Sequence, residues 1–133
     1  MPNEITTTDI ISVNAEVKEI LKGLKVGSKK VAVEYLFYEG HGEPYIVFSQ
    51  YDKDNSYSCE DEIAGYVAYY DIEIYSQGNI LSLIEEIKKR FKKAKWTWQP
   101  RRDGPDTYDQ DTHYYGKTLC FAKPIQEVDE EKL

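Results

Sequence analysis

Cysteine is scarce in this sequence. Its 133 residues hold two, Cys59 and Cys120, far apart and in different contexts. Two thiols argue against a disulfide framework and are too few for a structural zinc site; they read as free thiols in a reducing compartment. Cys59 is followed by Glu60 and Asp61, and carboxylates beside a thiol raise its pKa, which works against a nucleophile. The two histidines, His41 and His113, have no ligand or triad neighbour at a recognisable spacing. No apolar run approaches the roughly 20 residues of a membrane span. The start, Met1-Pro2-Asn3-Glu4, has neither the basic residues nor the apolar stretch of a signal peptide. Walker loop, dinucleotide fingerprint and nucleophile elbow are all missing. Positive charge is also in deficit: the net charge is -7, which disfavours nucleic acid and anionic membranes as partners.

What is present suits one folded domain, 1–133. Hydrophobic residues make up 41% and charged residues 31%, enough apolar material for one core at this length. Aromatics reach 14%, with 12 tyrosines. Tyrosine suits strands that are half buried or lie at contact surfaces. Residues 1–12 read as a loose lead-in and 126–133 as a frayed acidic tail.

Periodicity predicts a helix over about 14–25, capped by Asn14, with Val17, Ile20, Leu21 and Leu24 at helical spacing. Gly23 weakens its last turn and Gly27 stops it. Residues 29–39 alternate with Val31, Val33, Tyr35 and Phe37 on one face. The Gly/Pro-rich 40–44 is a turn, and 45–51 is a second strand. A polar connection, 52–62, leads to a long strand, 63–76. There Tyr66, Ala68, Tyr70, Ile72 and Ile74 form the buried face. Val67, Tyr69, Asp71, Glu73 and Tyr75 form the other. A second helix over about 79–94 is capped by Asn79 and carries Ile80, Leu83, Ile84, Ile87, Phe91 and Ala94 in one stripe. A short strand at 95–99, a loop at 100–112 and a strand at 113–123 follow, with Cys120 pointing opposite to Leu119 and Phe121. The order α-β-β-β-α-β-β predicts an α+β fold: a mainly antiparallel sheet of four to five strands with two helices packed on one face. Short connections favour the antiparallel pairings.

Twelve residues are candidates for an interface. The basic block contributes Lys88, Lys89, Lys92 and Lys93. One reading is a stripe that neutralises phosphates. Another is a solvated helix face, with the pairs Glu85–Lys89 and Glu86–Arg90 and bases where the helix dipole prefers them. A third is electrostatic pairing with an acidic patch on a neighbouring subunit. Trp96 and Trp98, with Arg101 and Arg102 just after, read equally as structural residues or as interface anchors. Asp103, Asp106, Asp109 and Asp111 offer carboxylates in a spacing that matches no calcium loop. They read as a hydrophilic loop that orders on assembly and is dispensable for folding.

Several strings, in order, resemble one family. Pro44-Tyr45-Ile46-Val47-Phe48 follows a turn. Tyr70-Asp71-Ile72-Glu73-Ile74-Tyr75 leads through Ser76-Gln77-Gly78-Asn79 into an amphipathic helix. An Asp-rich loop and a closing strand near Tyr114–Phe121 complete the series. Over roughly 15–122 the chain is similar to the tail completion proteins (tail terminators, or head–tail joining proteins) of long-tailed bacteriophages and prophages. The resemblance implies a structural protein that caps the tail tube and meets the head connector. It implies a ring, commonly of six subunits, with no cofactor, no metal and no catalysis. It also implies residence in the bacterial host cytoplasm during assembly and then in the virion. Segments 1–12 and 100–112 depart from many members. The alternative is a nucleic-acid binding module using the basic 88–95 face, with Trp96 and Trp98 as stacking platforms.

Overall fold

The computed structural model describes residues 5–40, 44–54, 58–59, 62–63 and 65–126. In chain order the elements are α1 (Ile5–Leu21), β1 (Lys25–Val26), β2 (Lys29–Lys30), β3 (Ala32–Tyr35), β4 (Tyr45–Asp54), β5 (Ser58–Cys59), β6 (Glu62–Ile63) and β7 (Gly65–Ser76). Then come α2 (Ile80–Lys93), β8 (Thr97–Trp98), a 3-10 turn at Pro100–Arg102, β9 (Thr107–Tyr108) and β10 (Tyr115–Gln126). The main sheet runs β3-β4-β7-β10-β8, and β9 also pairs with β10.

Strict alternation makes β7 the centre of the fold. Tyr66, Ala68, Tyr70, Ile72 and Ile74 are buried on one face, as the sequence predicts. Ile46 and Phe48 of β4 and Leu119 and Phe121 of β10 lie beside them on the same face. Both helices cover this face. Asn79 starts α2 by accepting the Ser82 N–H, and Leu83, Ile84, Ile87 and Phe91 go into the core. Each such side chain removed from water contributes roughly 1.5–3 kcal/mol. Phe91 stacks on Phe121 at 4.2 Å, so α2 is tied directly to β10.

The first helix differs from expectation. It begins at Ile5, so residues 5–12 are helical rather than a loose lead-in. Asn14 lies inside it, and its Oδ1 accepts a hydrogen bond from the Tyr70 hydroxyl instead of capping backbone. Among the residues of α1 whose burial is described, Val13, Val17 and Leu21, at steps of four, are buried. Gly23 ends it with a positive φ of 80°, a conformation that costs glycine no Cβ clash; Gly27 instead turns the β1–β2 hairpin.

The predicted strand 29–39 is divided. Lys29–Lys30 pair with β1, and Ala32–Tyr35 run parallel to β4, in register Ala32↔Tyr45 to Tyr35↔Phe48. The sheet is therefore mixed, not an antiparallel meander. Leu36, at φ 71°, turns the chain out while its N–H still reaches the Phe48 carbonyl. The chain loops back and enters β4 from the same end. This leaves Leu36 and Phe37 61% and 67% exposed, so Phe37 does not share the buried face of Val33.

Strand β4 continues through Asp54, with a register shift between Gln50 and Asp52, and β5 and β6 pair within the segment expected as a loop. His41 and the tail 127–133 lie outside the described residues. So do positions 55–57 and 60–61 of the polar connection. Cys120 is fully buried.

Candidate functional site

The twelve candidate residues do not form one site. Lys89, Lys92 and Lys93 are exposed on the side of α2 turned away from the sheet. Lys88 is drawn sideways: its Nζ lies 3.8 Å above the Trp98 ring and 3.7 Å from Glu85. Glu85 therefore pairs with Lys88 rather than Lys89, while Glu86 and Arg90 pair at 3.1 Å as expected. Arg90 also reaches across to α1. Its guanidinium donates to the carbonyls of Ile20 at 3.1 Å and Lys22 at 2.7 Å. Those carbonyls lack helical partners, so Arg90 satisfies the end of one helix from the last turn of the other.

The two tryptophans have opposite roles. Trp96 is 4% exposed and meets Tyr70 and Phe91 edge-on. Its Nε1–H donates to Glu16, whose carboxylate also holds Lys123 at 2.6 Å. It is a core residue and offers no stacking platform. Trp98 is 38% exposed at the sheet edge, with Lys88 on its face and its Nε1–H donating to Asp103.

The four aspartates diverge. Asp103 accepts from Trp98 and from the Cys120 backbone N–H. Asp106 pairs with Lys117 at 3.2 Å. Asp109 accepts the N–H groups of Asp111 and Thr112, shaping the turn that returns β9 to β10. Asp111 is exposed on that turn. The segment is thus pinned at Gln99, Asp103, Gly104 and β9, which corrects its reading as a loop without a part in the fold. Among the described residues no three His, Cys, Asp or Glu side chains converge as a metal site. No helix among them is long and apolar enough to cross a membrane. Arg101 is exposed, and Arg102 lies 4.1 Å over the Tyr69 ring.

The other face of β7 forms a second surface. On the sheet face away from the helices, register sets Tyr45 beside Tyr75, Val47 between Glu34 and Glu73, and Ser49 beside Asp71. Tyr45 stacks on Tyr75 at 4.8 Å, with Tyr38 at 4.7 Å and Tyr114 edge-on at 5.3 Å. The Tyr75 hydroxyl donates to Glu73 Oε1 at 2.9 Å. Gly116 makes room for this packing: a Cβ there would fall 2.5 Å from Thr107 Oγ1 and 3.0 Å from the Tyr75 ring. An open depression of about 610 Å³ continues the cluster, walled by Tyr45, Tyr75, Tyr108, Asp109, Thr112 and Tyr114.

The electrostatics of this face are those of crowded acid. Partial burial pushes the Asp71 carboxyl up, Glu73 and Asp103 push the same way, and Arg102 opposes them. Burial also raises Tyr45, helped by Tyr114, Glu73 and Asp109. Burial raises Tyr75 too, reinforced by its hydrogen bond to Glu73. The two layers of the molecule therefore carry opposite charge: carboxylates among tyrosines on the open sheet face, lysines on the outer side of α2.

No protein-family model and no curated protein matches this chain.

Proposed function

We propose that this chain is a structural protein of the head–tail junction of a long-tailed bacteriophage or prophage. It completes or caps the tail tube and joins it to the head, working as a ring of like subunits and catalysing nothing. The reading starts from the ordered strings that resemble tail completion proteins. One observation carries it further: the opposed charge of the two layers. A protein that stacks or circles with others needs two different surfaces, and this one has an acidic, tyrosine-rich sheet face and a lysine-bearing helix face. Tyrosine-rich patches with few other roles are typical contact surfaces.

The test is genetic and visual. In a host whose phage or prophage cannot make this chain, electron microscopy is expected to show heads and tails that fail to join, or tails of abnormal length. Normal infectious particles without it would overturn the proposal.

The exposed Lys89, Lys92 and Lys93 keep a nucleic-acid reading testable. It has lost one stacking platform, because Trp96 is buried, and the other is occupied by Lys88. Salt-dependent DNA retention at low ionic strength would favour it; no retention there would remove it.

A further inference from the structure

Resting on that assembly reading, we infer that the open face of the sheet is the socket for the lysine face of α2 from a second copy of this chain. The socket centres on Glu34, Asp71, Glu73, Tyr45, Tyr69 and Tyr75. Both helices lie on the other face. Glu34 is exposed, and the other five are half buried, with Tyr38 and Tyr114 packed on Tyr45 and Arg102 over Tyr69.

Three observations point to a cationic, helical occupant. First, the face holds carboxylates that already repel one another: Glu73 and Asp103 both act on Asp71, and Arg102, at the β10 side, is the cation set against them. A further positive charge docked there relieves that repulsion. Second, the tyrosine rings offer flat, electron-rich surfaces on which the stems and heads of lysines rest. Third, the same chain supplies the complement. Lys89, Lys92 and Lys93 are exposed on the outer side of α2, and none of them makes an ion pair among the described residues. Glu85 is the acid among them, and it is taken by Lys88.

The geometry fixes the kind of contact. Socket and lysines lie on opposite sides of a two-layer molecule, so one copy's sheet face meets the next copy's helix face. Each contact leaves one unused surface of each kind, and the series closes as a ring or runs on. A symmetric pair made from one patch meeting itself would set acid against acid.

Sedimentation velocity on the purified full chain tests this, at low salt and in about 1 M salt to screen the charge pairing. Two variants separate the surfaces: Lys89→Ala with Lys92→Ala, and Glu34→Gln with Glu73→Gln, each first checked for a wild-type circular dichroism spectrum and cooperative unfolding. The wild type is expected to self-associate with concentration and to dissociate in high salt. Each variant alone is expected to associate at least about tenfold more weakly. Mixed one to one, the variants are expected to give dimers and nothing larger, because each supplies the one surface the other lacks. Wild-type association in either variant, or a wild type that stays monomeric at every concentration, overturns the pairing of these faces. Neither result touches the role at the head–tail junction, which the particles made without the chain decide separately.

Discussion

The Trp98 indole and the Asp103 carboxylate close a bridge at the edge of the sheet: Nε1–H lies 2.9 Å from one oxygen and 3.1 Å from the other. The first of these distances belongs to Oδ2. Oδ1, the farther oxygen, also takes the backbone N–H of Cys120 at 3.0 Å. Replacing Asp103 by Ala strands that buried N–H and frees the indole. A loss of about 1–3 kcal/mol is expected, read as a lower urea midpoint with an unchanged slope. A variant as stable as wild type would show the bridge to be ornamental.

The two tryptophans are expected to separate by fluorescence. With Trp98→Phe, the remaining Trp96 reports from the core: blue-shifted emission, poorly quenched by acrylamide. With Trp96→Phe, Trp98 emits further to the red and is quenched readily. The second variant also loses the donor to Glu16 and core volume, and is expected to be destabilised by about 1–3 kcal/mol. Equal quenching in the two variants would contradict the placement of Trp96.

Arg90 joins α2 to the end of α1. Arg90→Ala removes the donors to the carbonyls of Ile20 and Lys22. It is expected to cost about 1–2 kcal/mol and to speed amide exchange in the last turn of α1 ahead of the rest of the chain. Lys89→Ala, on the same helix but turned to solvent, is expected to change stability by less than about 0.5 kcal/mol. If the two behave alike, the link between helices is not the cause.

Asp71 gives a pH signature. Its folded-state pKa is raised, chiefly by burial and then by Glu73 and Asp103, so the native chain binds this proton more tightly than the unfolded chain. The resulting penalty is absent below the ordinary carboxylate range, grows as pH rises through the raised value, and is complete above it. Asp71→Asn removes it. A gain of about 1–3 °C in melting temperature is expected at pH 7, fading to nothing near pH 3. A gain that persists at pH 3 would point to packing rather than charge.

Where local pattern and tertiary need agree, the fold is readable from the sequence. Asn79 and the stripe from Leu83 to Phe91 define α2, and the alternation along β7 assigns its two faces correctly. Elsewhere a distant partner decides. Asn14 looks like a cap, but α1 begins nine residues earlier at Ile5, and the Asn14 side chain accepts a hydrogen bond from the Tyr70 hydroxyl of β7. Ala32–Tyr35 alternate as any strand does; nothing local says they pair in parallel with β4, because that depends on Leu36 leaving the sheet. Trp96 and Trp98 are two residues apart, yet the Lys95 turn at φ 73° sends the first into the core and leaves the second at the edge. The aspartates read as one acidic loop because spacing cannot reveal that each binds something different. The acidic sheet face was visible as a list of alternate residues; its meaning needed the neighbouring strands.

Strand β10 is twelve residues long, and among the described residues the sheet has no further full-length strand beyond it. Its outer rim is closed piece by piece. Gly104 N–H donates to the Thr118 carbonyl, Asp103 accepts the Cys120 N–H, Gln99 N–H donates to the Cys120 carbonyl, and β8 and β9 pair with short stretches to either side. Such a rim gives an extended foreign chain little to zip onto. In the assembly proposed above, this rim turns copies away from the β10 border, where any strand would fit, and leaves the broad surfaces, where charge chooses the partner.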